Sequence, residues 1–422
     1  MSIPLRDAEA AGVIAGAGRR RFREVIAPRR QLMALALVAP LSLFLLATFV
    51  APVATLLVRS VDNREIGRVL PHTAKALHAW DGTGLPDENA FAALADDLQN
   101  GSREDVAAVA RLLNTYRPGA RSLLIRTART IAQQDGIDAP SPRGRLVRID
   151  PAWDEAPIWQ ALRRAVPPFT DHYLLAALDL RREASGAIVA VEPDSAIYRD
   201  VLGRTLAVSL SVTVGCLLLG YPLAYLMTQA GPRTARILLL LVLLPFWTSL
   251  LVRTTAWAVV LQNHGVLNTL LAWTGLIDPG HPPELIYNRT GVLIAMIHIL
   301  LPFMILPVHG AMKAIPANYL RAAASLGAPP RQAFLRVFLP LSMPGVVAGA
   351  LMVFILALGY YITPSLVGGT QDQMLGFYIA YFANQVSNWG MAAALSAILL
   401  AAIVLLYAVF HRVVGVDRLR IG

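Results

Sequence analysis

Lysine is almost missing from this 422-residue chain: only Lys75 and Lys313 occur, preceded by Ala74 and Met312. No glycine-rich loop ending in Gly-Lys-Ser/Thr can therefore be present, so the chain does not hydrolyse nucleotide by that route. Any ATP that drives it is bound by a partner, and no cofactor is expected of the chain itself. His-Glu-x-x-His and Gly-x-Ser-x-Gly are absent too, so no catalytic residue is assigned and the chain is not read as an enzyme. A single cysteine, Cys216, excludes a disulfide within the chain. The eight histidines are scattered. His298 and His309 fall roughly on one helical face, where packing or pore lining is the better reading than a metal site, so no metal ligands are assigned. Carboxylates are missing from every long apolar run, where a secondary transporter with its own ion site would need them.

What is abundant is apolar. The chain is 56% hydrophobic, a membrane protein's composition. Its net charge of +10 sits in short segments beside apolar runs rather than on one stripe, which excludes a nucleic-acid footprint and points to orientation signals. Six spans are read in an all-α membrane protein. Residues 31–58 carry no charge and are long enough to cross ~30 Å of hydrocarbon at ~1.5 Å per residue. The second span starts after Arg204 and runs from Thr205 to Pro232, and the third starts at Ile237 and is interrupted by Arg253. The fourth is Gly291 to Met312, the fifth roughly Met343 to Ser365 and the last about Met391 to Phe410. Gly345 and Gly349 form a Gly-x-x-x-Gly step that lets a neighbouring helix approach closely. Short outer helices are expected within Gln262–Tyr287 and Met374–Trp389.

Residues 59–200 are different. They hold 20 of the chain's 27 acids, and no apolar run there can span. Amphipathic patterns recur at Glu88–Leu98, Glu104–Tyr116, Arg121–Ala132, Ile158–Val166 and Asp171–Leu180, with a single strand at Ala187–Val191. The segment is large enough for its own core and reads as a mainly helical domain inserted between the first two spans. With a cytoplasmic N-terminus, the basic tail 1–30, the Arg233/Arg236 turn, the Lys313–Arg336 loop and the tail 416–422 all fall inside. That orientation puts the insert outside.

The stretch Pro316–Pro340 is basic, free of acid and too polar to span. Its punctuation describes two short helices: Ala317–Leu326, ended by Gly327 in a left-handed conformation, and Arg331–Phe338, stopped by Pro340. Tyr319, Ala322, Ala323 and Leu326 share one face.

This stretch resembles the EAA loop of binding-protein-dependent ABC-importer permeases, with matches at Ala322, Ala323, Gly327, Leu339 and Pro340 and a departure at Arg321, where the family usually has Glu. Gly220-Tyr221-Pro222-Leu223-Ala224-Tyr225, Pro245-Phe246-Trp247-Thr248, Arg253-Thr254 and Ala256-Trp257 are similar to stretches of the spermidine/putrescine branch. The resemblance covers about residues 200–415 and the first span. It implies the type I permease fold in the inner membrane, with 201–415 as the transmembrane domain. In that family the loop docks on the ATPase subunit, which assigns coupling to Arg321, Ala322, Ala323, Gly327, Leu339 and Pro340. The family also implies a second related permease subunit and an extracytoplasmic solute-binding protein. Polyamines or a related small polar solute are the expected cargo.

Arg253, Thr254, Trp257, Tyr360 and Tyr361 are candidate path or gate residues, because polar groups in a span face water, a partner or substrate. Aromatic faces can hold an amine by cation–π attraction, whereas Arg253 would repel one. Ferric iron, sulfate, opine or amino-acid-like solutes stay open for that reason. A membrane-anchored ligand sensor, with 59–200 as its receptor, is the alternative of another class.

Overall fold

The computed structural model describes Met33 and residues 36–133, 141–183 and 186–414. The expected tails 1–30 and 416–422 lie outside the described residues. Among the described residues, five helices are long and apolar enough to cross a membrane, and a bent pair makes up to six. The first, α1 (Ala36–Val58), forms a compact unit apart from residues 59–422.

The insert is helical, as its patterns predict. Helices α2 (Arg64–Val69), α3 (Pro71–Ala79), α4 (Glu88–Asn100), α5 (Arg103–Tyr116), α6 (Ala120–Gln133), α7 (Pro142–Ile149), α8 (Ala156–Ala165) and α9 (His172–Ala176) follow in order. Phe91, Leu94 and Leu98 are one buried stripe of α4, packed with Val109 and Leu113 of α5, Leu124 of α6 and Ile158 and Trp159 of α8. Trp159 donates its indole N–H to the Trp153 carbonyl and Trp153 donates to Thr127 Oγ1, so both large rings are buried with their polar atoms satisfied. Buried Asp97 caps α3: its carboxylate accepts the backbone N–H groups of His72 and Thr73 and the Thr73 hydroxyl. The base is closed by Asn63, whose backbone N–H donates to Pro168 O at 3.0 Å, and by Thr170, whose backbone N–H donates to Val61 O at 2.9 Å.

Four findings differ from the sequence reading. The single strand is half of a hairpin, β1 (Leu180–Arg182) with β2 (Ile188–Ala190), and β1 takes the end of the expected helix at Asp171–Leu180. A lone strand leaves its backbone groups unpaired, so the partner is required. The second span, α10 (Tyr198–Gln229), begins seven residues before Thr205. Its start is set by a distant group: the buried Asp179 carboxylate accepts the N–H groups of Ile197, Tyr198 and Arg199. An anion there satisfies free donors and favours the positive end of the helix. The third span is two pieces, α11 (Pro232–Leu243) with a 3-10 turn to Trp247, and α12 (Leu250–Val260), bent by 100°. Ser249 caps α12 by accepting from the Val252 N–H. The fifth span starts and ends earlier than Met343–Ser365, because its helix ends at Leu358 and Gly359–Tyr361 break the chain before a short helix at Ile362–Val367.

The remaining elements are α13 (Val266–Trp273), α14 (Arg289–Lys313), α15 (Ala317–Ser325), α16 (Pro330–Leu358), α17 (Ile362–Val367), α18 (Leu375–Asn384) and α19 (Trp389–Val414). The short helices α13 and α18 fall where the sequence reading puts them. Helices α10, α14 and α16 pack together through Val212, Met296, Leu300, Met304, Val308 and Val353. The Gly-x-x-x-Gly step lies at this packing: a Cβ on Gly345 would stand 2.5 Å from Ala311 Cβ, and one on Gly349 3.0 Å from the Met304 carbonyl oxygen. A second cluster joins Tyr173 and Ala177 of the insert to Val201, Phe354, Met391 and Leu395. At that junction His172 stacks on Tyr116 with ring centroids 4.2 Å apart. Burial first, and Arg164 second, push the His172 imidazole down to about 4, and burial raises the Tyr116 phenol.

Candidate functional site: coupling elbow and path

Helix α15 follows Pro316 and ends at Gly327, whose φ of +82° is the left-handed cap that its position predicts. Ala328 N–H donates back to the Ala323 carbonyl at 3.0 Å, completing the cap. The face expected to carry contacts is open: Tyr319 is 54% exposed and Leu326 89%. Ala322 is exposed and Ala323 half-buried. Arg321, also exposed, donates to Asn318 Oδ1 one turn earlier.

The second elbow helix is a correction. Pro340 does not stop it. Residues 330–358 form one continuous helix, widened into a π turn at Phe334–Phe338, where the Leu339 N–H reaches back five residues to the Phe334 carbonyl. The wider turn accommodates a proline that has no N–H to give and whose ring would crowd a regular turn. Leu339 is half-buried and Pro340 exposed at this joint. The second half of the elbow is thus continuous with a span, while α15 precedes it across the turn at Gly327.

An aromatic cluster fastens the same joint to the second span. Tyr225 lies edge-on to Phe334 and to Phe338, both at 5.4 Å between centroids, and Tyr221 holds Ser342 through hydroxyls 3.0 Å apart. Such ring pairs add ~0.5–1.5 kcal/mol each beyond the area they bury. The sequence reading quoted Tyr221 and Tyr225 within a motif but gave them no role. Their signal was two aromatics four residues apart, one turn of helix, on a long apolar run.

The proposed path residues come together with one exception. Thr254 is buried and its hydroxyl meets that of Thr363 at 3.1 Å. Trp257 donates its indole N–H to His298 Nδ1 at 3.1 Å. Arg253 acts electrostatically on His298 and on Tyr360, so all three lie in one neighbourhood. The Arg253 Nε is buried with no hydrogen-bond partner among the described residues. Tyr361, by contrast, is partly exposed and its Cβ packs on Gly376 of α18, where an added Cβ would lie 3.2 Å away. His298 and Thr363 complete the cluster, and neither was assigned to it from sequence. His309 lies elsewhere, beside Thr228 at 3.2 Å, so the two histidines do not share a site.

The family description "binding-protein-dependent transport system inner membrane component" matches residues 217–416. The spermidine/putrescine transport system permease protein PotB of Escherichia coli strain K12 is 34% identical over 216 residues, covering 51% of this chain and 78% of that protein. The chain belongs to this permease family. PotB of Haemophilus influenzae is 38% identical over 216 residues, 51% of this chain and 75% of that protein. A bacterial alginate ABC transporter, solved in complex with an alginate pentasaccharide-bound periplasmic protein, has a similar chain with 18% identity and a TM-score of 0.43, covering 51% of this chain and 77% of that one. The chain is accordingly a multi-pass inner-membrane permease subunit of an ABC importer, and this family transports rather than catalyses. In the permease, the elbow joint and the Arg253–His298 cluster lie within the matched region, and the insert precedes it.

Among the described residues, the one His/acid group close enough to hold a cation is His72, Asp96 and Asp97. Asp97 is already saturated by the first turn of α3, so the group is a helix cap rather than a metal centre.

Proposed function

We propose that the permease moves a polyamine or a related small polar solute inward, driven by a separate ATPase subunit that docks on the 316–340 loop. The supporting observation is mechanical. The open face of α15 bears no acid and ends in a fixed left-handed cap, and the next helix, α16, runs unbroken from the loop into a span beside the aromatic cluster. ATP would close the ATPase dimer, the elbow would move as a lever, and α16 would carry that movement to α10 and α14. The nucleotide is bound by the ATPase, not by this chain. A second related permease and an extracytoplasmic binding protein complete the assembly in the lipid bilayer.

In this reading the basic tail 1–30, the 316–340 loop and the tail 416–422 are cytoplasmic. Residues 31–58 are the first span, 59–200 the extracytoplasmic insert and 201–415 the permease domain. Arg321 replaces an acid at the elbow, so docking relies on Ala322, Ala323, Gly327, Leu339 and Pro340 and on the exposed Leu326 and Tyr319.

Polyamines are the first solutes to test because of what the PotB relatives are named for. The buried Arg253 Nε, without a hydrogen-bond partner among the described residues, favours a second cargo, one carrying an anionic group such as an amino-acid-like solute. Co-purification with candidate ATPases, followed by uptake of labelled putrescine, spermidine and amino acids, separates these. The coupling role requires Gly327→Pro to abolish ATPase association and uptake together. Retention of both sinks it. Excising 59–200 distinguishes the sensor alternative, in which every ligand response would vanish; retained transport would rule that alternative out.

A further inference from the structure

Where the insert meets the turn between α18 and α19, the structure holds a cleft of about 910 Å³. Ligand pockets commonly have ~300–1,000 Å³, so the space suits a small molecule rather than a trapped water. One wall is residues 59–65 with the Arg111 and Thr115 face of α5. The opposite wall is residues 385–390. We propose that this cleft binds a small polyanion, its carboxylate or phosphate groups carried either on a soluble molecule or on a lipid headgroup.

Charge is the first reason. Arg59, Arg64, Arg111 and Arg121 line the cleft against Asp62 and Glu65, leaving two positive charges in excess (four minus two). Asp62 is already paired with Arg64 at 3.3 Å. Arg59 lies over the Trp389 ring at 5.5 Å. Arg111 and Arg121 have no ion pair among the described residues. Guanidinium forks match carboxylate and phosphate oxygens two at a time, and several converging on one space select for more than one negative group.

Rigidity is the second reason. Ser387 has φ +56°, and Asn388 N–H reaches the Phe382 carbonyl at 2.8 Å, a fixed helix-end turn. Gly390 packs so closely on Tyr173 that a Cβ would lie 2.4 Å from the ring. On the opposite side Asn114 Oδ1 accepts the N–H groups of Gly119 and Arg121, fixing where α6 begins. Both walls are therefore preorganised, and little ordering opposes binding. A ligand here would tie the insert to the start of α19 and favour whichever transport state keeps this width.

The test uses the full chain, purified in zwitterionic detergent. Citrate, inorganic phosphate and spermidine are titrated by calorimetry and by thermal unfolding at low and moderate salt. Citrate is expected to bind and to raise the unfolding midpoint, with affinity falling as salt rises. Spermidine should produce no shift. Arg111→Gln with Arg121→Gln should weaken citrate at least tenfold, while Arg111→Lys, which keeps the charge but loses the fork, should weaken it less than Arg111→Gln does. Nanodiscs with and without phosphatidylglycerol separate the sources. Loss of citrate binding in the anionic nanodiscs identifies a headgroup as the occupant, and unchanged binding identifies a soluble one. Equal citrate binding by parent and double variant overturns the proposal. So does stabilisation by spermidine alone, or the absence of any response to citrate, phosphate and phosphatidylglycerol.

Discussion

Replacing Gly345 by alanine tests the packing on which the permease rests. A Cβ there would meet Ala311 Cβ at 2.5 Å, Pro307 O at 2.7 Å and Val308 Cα at 3.0 Å. Carbon atoms prefer ~3.5–4.0 Å, so relief needs α14 and α16 to part by about 1 Å. Two of the three obstacles are backbone, which cannot rotate away. Overpacking of this kind costs ~1–3 kcal/mol. Exchanging glycine for alanine in a helix returns ~0.5–1 kcal/mol. The net is a loss of up to ~2.5 kcal/mol for Gly345→Ala, centred on ~1 kcal/mol. Gly310→Ala in α14 is the control, because Gly310 is exposed and nothing lies within 4 Å of its would-be Cβ. That variant keeps the propensity gain without the clash and should be neutral or slightly stabilised. Thermal and SDS unfolding of the purified protein, followed by tryptophan fluorescence, reads both. Equal midpoints for the two variants would refute close helix approach as the role of the Gly-x-x-x-Gly step.

Three further outcomes follow from the same geometry. Asp179→Ala strands three N–H groups at the start of α10 and should destabilise the protein by roughly 2–3 kcal/mol, with Asp179→Asn intermediate, measured by the same unfolding assay. His172 takes up a proton only near pH 4 when folded but near 6.5 when unfolded, so stability should be level above 6.5 and fall as pH drops from 6.5 toward 4. The fall is at most ~3 kcal/mol, and His172→Phe should flatten it across that window. Gly327→Asn, tolerated at positive φ, should keep ATPase association, whereas Gly327→Val should weaken it by straining the cap; co-purification decides.

Legibility followed the range of the interaction involved. Helices α4, α5, α6 and α8 were visible because an amphipathic stripe is a local pattern, and Phe91, Leu94 and Leu98 do form one buried face. Short α2, α3 and α7 were not visible, since six to nine residues carry too little periodicity. The path cluster was half legible. Arg253, Thr254 and Trp257 stood out as polar groups in an apolar run, but their partners His298 and Thr363 lie 41 and 109 positions away along the chain.

Composition and motif alone established that the chain has a membrane protein's make-up and no Gly-Lys-Ser/Thr phosphate loop, and that its basic loop caps at Gly327, because charge counts, motif patterns and glycine stereochemistry need no neighbours. Only the tertiary structure decided that α16 runs unbroken through Pro340, that α10 starts under the Asp179 carboxylate, and that four arginines line one cleft. Each of those depends on groups far apart in sequence meeting in space: a ring against a widened turn, an acid on distant amides, like charges gathered around a common cavity.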